Sequence, residues 1–163
     1  MPKRTVTLLS FFVLGIVGLV GAGLWLIAEP KSGVGFDPTT SEFLFAPNNP
    51  EVVALGRQVY AENCASCHGD NLQGAANWQT PDENGQLPAP PHDETGHTWH
   101  HSEELLFRIT KYGSAAALGS NDPVLSMPAF EGILHDGEIL AVLSFVKAQW
   151  PKDVQEMHDR MSR

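Results

Sequence analysis

Residues 49–69 read NPEVVALGRQVYAENCASCHG, and this stretch decides the fold that we expect. Asn49 followed by Pro50 is typical of a helix start, because an asparagine side chain can accept hydrogen bonds from free backbone N–H groups and proline suits the first helical turn. Small and apolar residues then recur at helical spacing, at Val52, Gly56 and Val59. The pattern predicts a helix that runs to about Asn63 and leads directly into a C-x-x-C-H motif.

The motif Cys64-Ala65-Ser66-Cys67-His68 has the spacing of covalent c-type haem attachment. Two thiols at this spacing can each form a thioether to one of the vinyl groups on the same porphyrin edge, and the next residue then lies beneath the iron. His68 is the predicted proximal ligand, because neutral imidazole is a good axial donor to haem iron. We therefore expect one covalent haem c.

Two other uses of the cysteine pair are alternatives, a redox-active C-x-x-C and half of a zinc site. The redox use favours a strand before the motif and a βαβ context, which the sequence does not indicate. A zinc site needs further ligands, whose spacing this chain does not clearly give. Since Cys64 and Cys67 are the only cysteines, a disulfide framework and a four-thiolate zinc site are excluded.

The predicted second axial ligand is Met127, which follows His68 by 59 residues and stands beside Pro128, where proline fixes the backbone. The other methionines are poorer candidates, since Met157 and Met161 lie in a polar tail and Met1 is expected on the opposite side of the membrane from the haem domain. Histidine and methionine together raise the reduction potential relative to two histidines. The alternative is that Met127 only fills the core.

Two further helices are predicted after a long loop. The loop, residues 69–96, is rich in Pro, Gly, Asn and Asp and has no clear period, so we expect it to pack on a large flat cofactor. Ser102 and Gly113 fit the two ends of a second helix. A third starts near His135 and ends before Pro151. The prediction is an all-α fold with about three main helices around one haem.

The amino-terminal segment, residues 1–28, is predicted to be a membrane anchor. The run Thr5–Ala28 is uncharged over 24 residues, enough to cross a hydrocarbon core of about 30 Å. Lys3 and Arg4 precede it and predict an amino terminus in the cytoplasm, with the rest outside. A cleaved signal peptide is the alternative, and it also exports the domain. A strip of small residues that could contact another membrane helix is formed by Gly15, Gly18 and Ala22.

The remaining boundaries follow from composition. Residues 29–49 are predicted to be a flexible linker, residues 50–151 the folded domain and residues 152–163 a polar tail. The net charge of -9 comes almost wholly from the residues beyond 49, which include seven basic and sixteen acidic residues. An acidic domain without a basic stripe excludes nucleic-acid binding and favours a redox partner with a basic docking face.

Four histidines crowd the end of the long loop around Trp99, namely His92, His97, His100 and His101. The favoured interpretation is that Trp99 and one histidine cover the haem edge and hydrogen-bond a propionate, while the other histidines face solvent. The alternative is a second metal site, which requires the histidines to fold towards one point. His135 is expected to be a helix-start residue.

From about Asn49 to Trp150 the chain resembles class I cytochrome c, through the motif at residues 64–69, the Met127-Pro128 ligand loop and the order of the terminal helices. In that family the first and last helices cross at a small residue. The resemblance implies one side of that crossing at Gly56 and Tyr60. It implies the other side at Leu143, Phe145 and Val146.

The function implied by the resemblance is single-electron transfer between larger redox complexes, without catalysis by this chain itself. We expect the haem domain in the periplasm, attached to a bacterial inner membrane. The lysine-rich face of the mitochondrial type is absent, so no partner carries over from there. Two alternatives remain: a fixed subunit of a larger membrane redox complex, and a haem enzyme or gas sensor with an open sixth position on the iron.

Overall fold

The computed structural model describes residues 35–37, 42–122 and 124–162. In this part of the chain the helices are α1 Pro50–Asn63, α2 Ala65–His68, α3 Glu103–Tyr112, α4 Ser114–Ala117, α5 Asp136–Ala148 and α6 Lys152–Met161. One turn of 3-10 helix covers Thr98–His100, and two short strands are β1 Gly35–Asp37 and β2 Glu42–Leu44. The described residues therefore form a helical domain with a small amino-terminal hairpin.

The three predicted helices are confirmed as α1, α3 and α5, and their caps explain their ends. The side chain of Asn49 accepts hydrogen bonds from the backbone N–H groups of Glu51 and Val52. Ser102 caps α3 in the same way through Leu105. These contacts satisfy N–H groups that have no partner within the helix.

Helices α1 and α5 cross at Gly56 with their backbones in contact. A Cβ atom built on Gly56 lies 2.0 Å from the carbonyl oxygen of Ala141 and 2.8 Å from Cβ of Phe145. Beside this contact, the rings of Tyr60 and Phe145 lie 5.5 Å apart between centroids, and Leu143 is buried in the same core cluster as Val146. The small-residue crossing implied by the resemblance is thus present.

The long loop is also confirmed, since the structure gives residues 69–97 neither helix nor strand. Backbone hydrogen bonds fold it back on itself and on the motif. The N–H of Gly74 donates to the carbonyl of His68 at 2.7 Å, and the N–H of His92 donates to the carbonyl of Leu72 at 2.7 Å. The loop therefore lies against the end of α1 instead of extending into solvent.

The predicted linker requires a correction over its described residues. Strands β1 and β2 pair antiparallel, and two residues after β2 are bonded to the helices. The N–H of Phe45 donates to a carboxylate oxygen of Glu103 at 3.1 Å, and the N–H of Ala46 donates to Oγ of Ser144 at 2.9 Å. Polar side chains of α3 and α5 supply acceptors that sequence periodicity does not reveal, so this end of the segment is attached.

The predicted polar tail, residues 152–163, also requires a correction, because Lys152–Met161 form helix α6 and pack on the domain. His158 is fully buried and Gln155 is nearly so. The Nε2 atom of His158 donates to the carbonyl of His101 at 2.9 Å, and the amide of Gln155 donates to the carbonyl of Trp150 at 2.8 Å. Hydrogen bonds, not an apolar stripe, hold this helix.

An ion cluster around the buried ammonium of Lys147 joins α6 to α3 and α5. The ammonium of Lys147, which is 3% exposed, lies 2.6 Å from the Glu103 carboxylate and also contacts Asp159. Burial raises the pKa of Glu103, against the opposing effect of Lys147. Since a buried charge that loses its partner is strongly destabilising, the cluster fixes how these three helices meet.

The predicted membrane anchor, residues 1–28, lies outside the described residues. Among the helices that the structure describes, none is long and apolar enough to cross a membrane.

Replacement of Gly56 tests the helix crossing. We expect Gly56→Ala to lower the free energy of unfolding by about 3 kcal/mol, since its Cβ meets backbone atoms that cannot rotate away. Gly137 in α5 is the matched control, because a Cβ there meets nothing within 4 Å. Gly137→Ala is expected to leave stability unchanged or raise it by up to about 1 kcal/mol. Equal denaturant midpoints for the two variants would contradict this packing.

The stability of the domain is expected to fall between pH 6.5 and 4 because of His158. Burial, and then the charge of Lys147, lowers the pKa of this histidine from 6.5 to about 4. Between these pH values the histidine of the unfolded chain binds a proton, whereas the buried histidine of the folded protein does not. The free energy of unfolding therefore falls as the pH is lowered from 6.5 to 4, by up to about 3 kcal/mol.

His158→Gln removes the titration while its amide can still donate to His101. Unfolding free energies measured at several pH values should therefore show a smaller acid loss in the variant than in the parent protein. Parallel curves for the two proteins would show that His158 does not contribute.

Candidate haem site

The two thiols and the predicted proximal histidine lie within a single turn at the end of α1. Cys64 is the C-cap residue of α1, and its N–H donates to the carbonyl of Tyr60 at 2.9 Å. Helix α2 then carries Cys67 and His68. Both thiols are free; Cys67 is exposed, Cys64 is partly buried, and the His68 residue is buried. The cysteines thus border a site whose histidine is withdrawn from water.

The surroundings of Cys64 disfavour the redox alternative. Burial, and then the neighbouring Cys67, raises the pKa of the Cys64 thiol to about 11. Redox-active cysteine pairs depend on a thiol whose pKa is lowered, so that the thiolate is present at neutral pH. A helix, not a strand, also precedes the motif. The raised pKa of the first thiol and the preceding helix both disfavour the redox use.

His68 has the protonation and orientation that an axial ligand needs. Its Nδ1 donates to the carbonyl oxygen of Pro90 at 2.9 Å, so the proton of the neutral ring is on Nδ1 and the lone pair is on Nε2. Burial lowers the pKa of His68, which keeps the ring neutral. The long loop thus supplies the acceptor that directs Nε2 away from Pro90.

The chain turns sharply after the motif, and Tyr60 fixes this turn. Gly69 has a φ of +81°, and its carbonyl accepts a hydrogen bond of 2.8 Å from the hydroxyl of Tyr60. Burial, as the largest cause, raises the pKa of Tyr60, so the hydroxyl remains a donor at neutral and mildly alkaline pH. Tyr60 therefore packs on α5 and also fixes the backbone at Gly69, where the chain leaves the motif.

The backbone of Met127 is held where α3 meets α4. Its N–H donates to Oγ of Ser114 at 3.2 Å, and its carbonyl accepts from the N–H of Ser114 at 3.2 Å. A Cβ on Gly113 would lie 3.0 Å from the same carbonyl. These contacts fix the loop that carries Met127, and its role as the second axial ligand stays a prediction.

The loop histidines have different surroundings and do not form one group. His92 stacks on His68 with 3.9 Å between ring centroids. His97 stacks on Trp78 with its centroid 5.2 Å away, and His101 meets the edge of His97. His100 lies on the ring of Trp99. Trp99, the predicted propionate contact, donates from its indole to the carbonyl of Glu94 at 3.3 Å.

A metal site among these histidines gains no support. Within the described ranges, the group of three candidate metal ligands whose ligand atoms lie within 4.8 Å of one another is Glu103, His158 and Asp159. The ammonium of Lys147 already binds both carboxylates there. The cluster therefore has its own cation, and it contains none of the four loop histidines.

Several residues that shape the domain and the site were not predicted from the sequence. Pro90, which orients His68, and Thr98, which bonds to His92, were not singled out. His158, which holds α6 on the domain, was overlooked. The signal in the sequence was compositional, since segment 90–98 contains two prolines, two threonines and two histidines. Their contacts depend on how an aperiodic loop folds back, which spacing alone does not give.

Comparison with known proteins agrees with this arrangement. Residues 53–150 match the family described as Cytochrome c. The chain belongs to the cytochrome c family. Membership implies a covalently bound c-type haem, and the two cysteines that such attachment requires are present at Cys64 and Cys67.

Similarity to individual proteins is confined to short stretches of this cytochrome. Over 36 residues it is 44% identical to the cbb3-type cytochrome c oxidase subunit FixPc of Rhizobium leguminosarum bv. viciae. The aligned stretch covers 22% of this chain and 12% of that protein. Over 29 residues it is 55% identical to the subunit FixP of Sinorhizobium medicae and of Rhizobium meliloti, which covers 18% of this chain and 10% of each relative. No solved structure matches the chain.

The donor set of this cytochrome fits the haem that the family carries. Two free thiols flank one turn of helix, and the neighbouring imidazole has Nδ1 bonded to Pro90, which leaves Nε2 as the nitrogen for iron. In addition, Nδ1 of His97 is buried and has no hydrogen-bond partner among the residues described. A buried polar atom without a partner is costly, so this nitrogen fits a polar group of a bound cofactor.

Proposed function

We propose that this cytochrome carries single electrons through a haem attached to Cys64 and Cys67, with His68 and Met127 as axial ligands. The supporting observation is the geometry of His68, which is buried, one turn from two free thiols and oriented through Nδ1 by Pro90. Such an arrangement suits an iron ligand and gives no group a role as acid, base or nucleophile.

The haem supplies the redox change when it is bound, and the chain keeps the surroundings of the iron fixed. Pro90 orients the proximal ring, and Ser114 holds the backbone of Met127 at both its N–H and its carbonyl. A site whose ligands stay in place in both oxidation states needs little reorganisation for each transfer. Electron transfer between protein partners, not substrate chemistry, is the activity that follows.

His97 is the proposed contact for a haem propionate. The sequence analysis named Trp99 together with one histidine for this role, but the indole of Trp99 donates to Glu94. The buried Nδ1 of His97 has no partner in the described part of the chain. A carboxylate acceptor would satisfy it, and the stack on Trp78 would hold the ring in place.

We place the haem domain on the periplasmic side of a bacterial inner membrane. The uncharged run Thr5–Ala28 after Lys3 and Arg4 supports an exported domain, and covalent haem attachment through thiols suits an exported protein. The acidic charge beyond residue 49 supports redox partners that present a basic face.

A subunit of a membrane oxidase complex is the second candidate, because the short matches are to cbb3-type cytochrome c oxidase subunits. The proposed contact in the membrane is the strip Gly15, Gly18 and Ala22. Its test is to ask which membrane proteins co-purify with the full chain and whether Gly18→Leu releases them. If nothing co-purifies with the unmodified chain, this candidate fails.

Replacement of Met127 tests the ligand set. The oxidised protein is expected to show the far-red absorption band of sulfur-ligated ferric iron, and Met127→Ala is expected to abolish it and to let carbon monoxide bind the reduced protein rapidly. Met157→Ala is the control, since Met157 is 42% exposed on α6, and it should keep both the band and the resistance to carbon monoxide.

Two results would contradict the proposal. Rapid binding of carbon monoxide to the unmodified reduced protein would favour a haem enzyme or gas sensor with an open sixth position. A far-red band that survives in Met127→Ala would show that another sulfur binds the iron.

A further inference from the structure

His92 lies flat against the proposed proximal ligand. The two imidazole rings are 3.9 Å apart between centroids, with 20° between their planes. The bond from Nδ1 of His68 to Pro90 fixes where that nitrogen points. A hydrogen bond tolerates some misalignment, so the ring of His68 keeps some freedom about its χ2 torsion, and a packed face restrains its plane further. The face of His92 supplies this restraint.

His92 is itself held by contacts from three directions. Its Nδ1 lies 2.8 Å from Oγ1 of Thr98, whose hydroxyl lies 3.3 Å from the carbonyl of Pro91. The hydrogen bond between Nδ1 and this hydroxyl fixes one edge of the His92 ring. The backbone N–H of His92 donates to Leu72 at 2.7 Å, and its carbonyl accepts from the indole of Trp150 at 2.7 Å.

The contact to Thr98 holds the ring of His92, and the contacts to Leu72 and Trp150 hold its backbone, so the residue is joined to rigid parts of the molecule. Thr98 is 4% exposed, Leu72 is 6% exposed, and Trp150 follows α5 and is 3% exposed. The ring of Tyr60, on α1, also meets that of His92 edge to face at 6.4 Å. His92 therefore cannot move away from His68 without breaking buried contacts to the loop and to both crossing helices.

We propose that His92 is a positioning residue that fixes the plane of the His68 imidazole relative to the haem. The inference rests on the proposed function, because it requires His68 to bind the iron. Groups that orient a metal-bound histidine usually hydrogen-bond to its second nitrogen, a role that Pro90 has here. The stacked ring of His92 adds control of rotation, and the plane of an axial imidazole determines how unpaired spin of ferric iron spreads over the haem.

The test compares His92→Ala, which removes the ring, with His92→Phe, which keeps a flat face but loses the bond to Thr98. Proton NMR of the ferric haem-loaded protein measures the four haem-methyl shifts, and a redox titration measures the midpoint potential. We expect His92→Ala to change the spread of the methyl shifts and to shift the potential, and His92→Phe to restore most of both. His135→Ser, at the exposed start of α5, is the control and should match the unmodified protein.

Two outcomes would overturn the inference. One is a folded His92→Ala protein with unchanged methyl shifts. The other is a His92→Phe protein whose shifts are as altered as those of His92→Ala, since a stacked face would then not be the restraint. If His92→Ala fails to fold, His92→Leu, which fills the space without a flat face, takes its place in both comparisons. An unmodified protein that contains no low-spin haem would instead contradict the proposed function, so the two failures are distinguishable.

Discussion

The contact between α1 and α5 at Gly56 is the constraint on which the rest of the domain depends. With a carbonyl of α5 only 2.0 Å from the place of a Cβ, the two backbones meet without an intervening side chain. Helix α1 leads into the cysteine motif, and α5 leads to Trp150, whose indole holds the carbonyl of His92. One close crossing thereby sets the relative positions of the thiols and of the loop segment that orients His68.

The long loop completes the site through backbone carbonyls more than through side chains. Pro90 accepts from His68, Leu72 accepts from the N–H of His92, and Gly69 accepts from Tyr60. Carbonyls without regular secondary structure are free to point at a ligand, and prolines limit how they can turn. This explains how a loop without helix or strand can still hold a histidine in one orientation.

The parts of the fold that were predicted correctly depend on local chemistry. Asn49 caps α1, Ser102 caps α3, and the spacing of the motif identifies the haem pattern without knowledge of the tertiary structure. The parts that were missed are held by polar contacts between distant residues. Ala46 bonds to Ser144, and α6 depends on Lys147 and on a buried histidine. A polar sequence does not show which of its side chains will find a buried partner, so a hairpin appeared to be linker and a docked helix appeared to be tail.

The same distinction applies to the haem site. Cys64, Cys67 and His68 could be named from their order alone. Pro90 was not singled out, and His92 was named only as one of four loop histidines, because both reach His68 only through the fold of the loop. Trp99 was named for a propionate together with one loop histidine, and among the four loop histidines it is His97 whose buried Nδ1 has no hydrogen-bond partner in the described part of the chain. The haem-attachment motif, which lies within five consecutive residues, was therefore predictable. The loop residues that orient its histidine were not.

Mass spectrometry of the purified and denatured protein shows whether haem is attached to the cysteine pair. After proteolysis, we expect the peptide containing Cys64 and Cys67 to be heavier by one haem, both thiols to resist alkylation, and no other peptide to carry haem. A peptide of unmodified mass with two alkylated thiols, or with the two cysteines joined in a disulfide, would contradict this attachment.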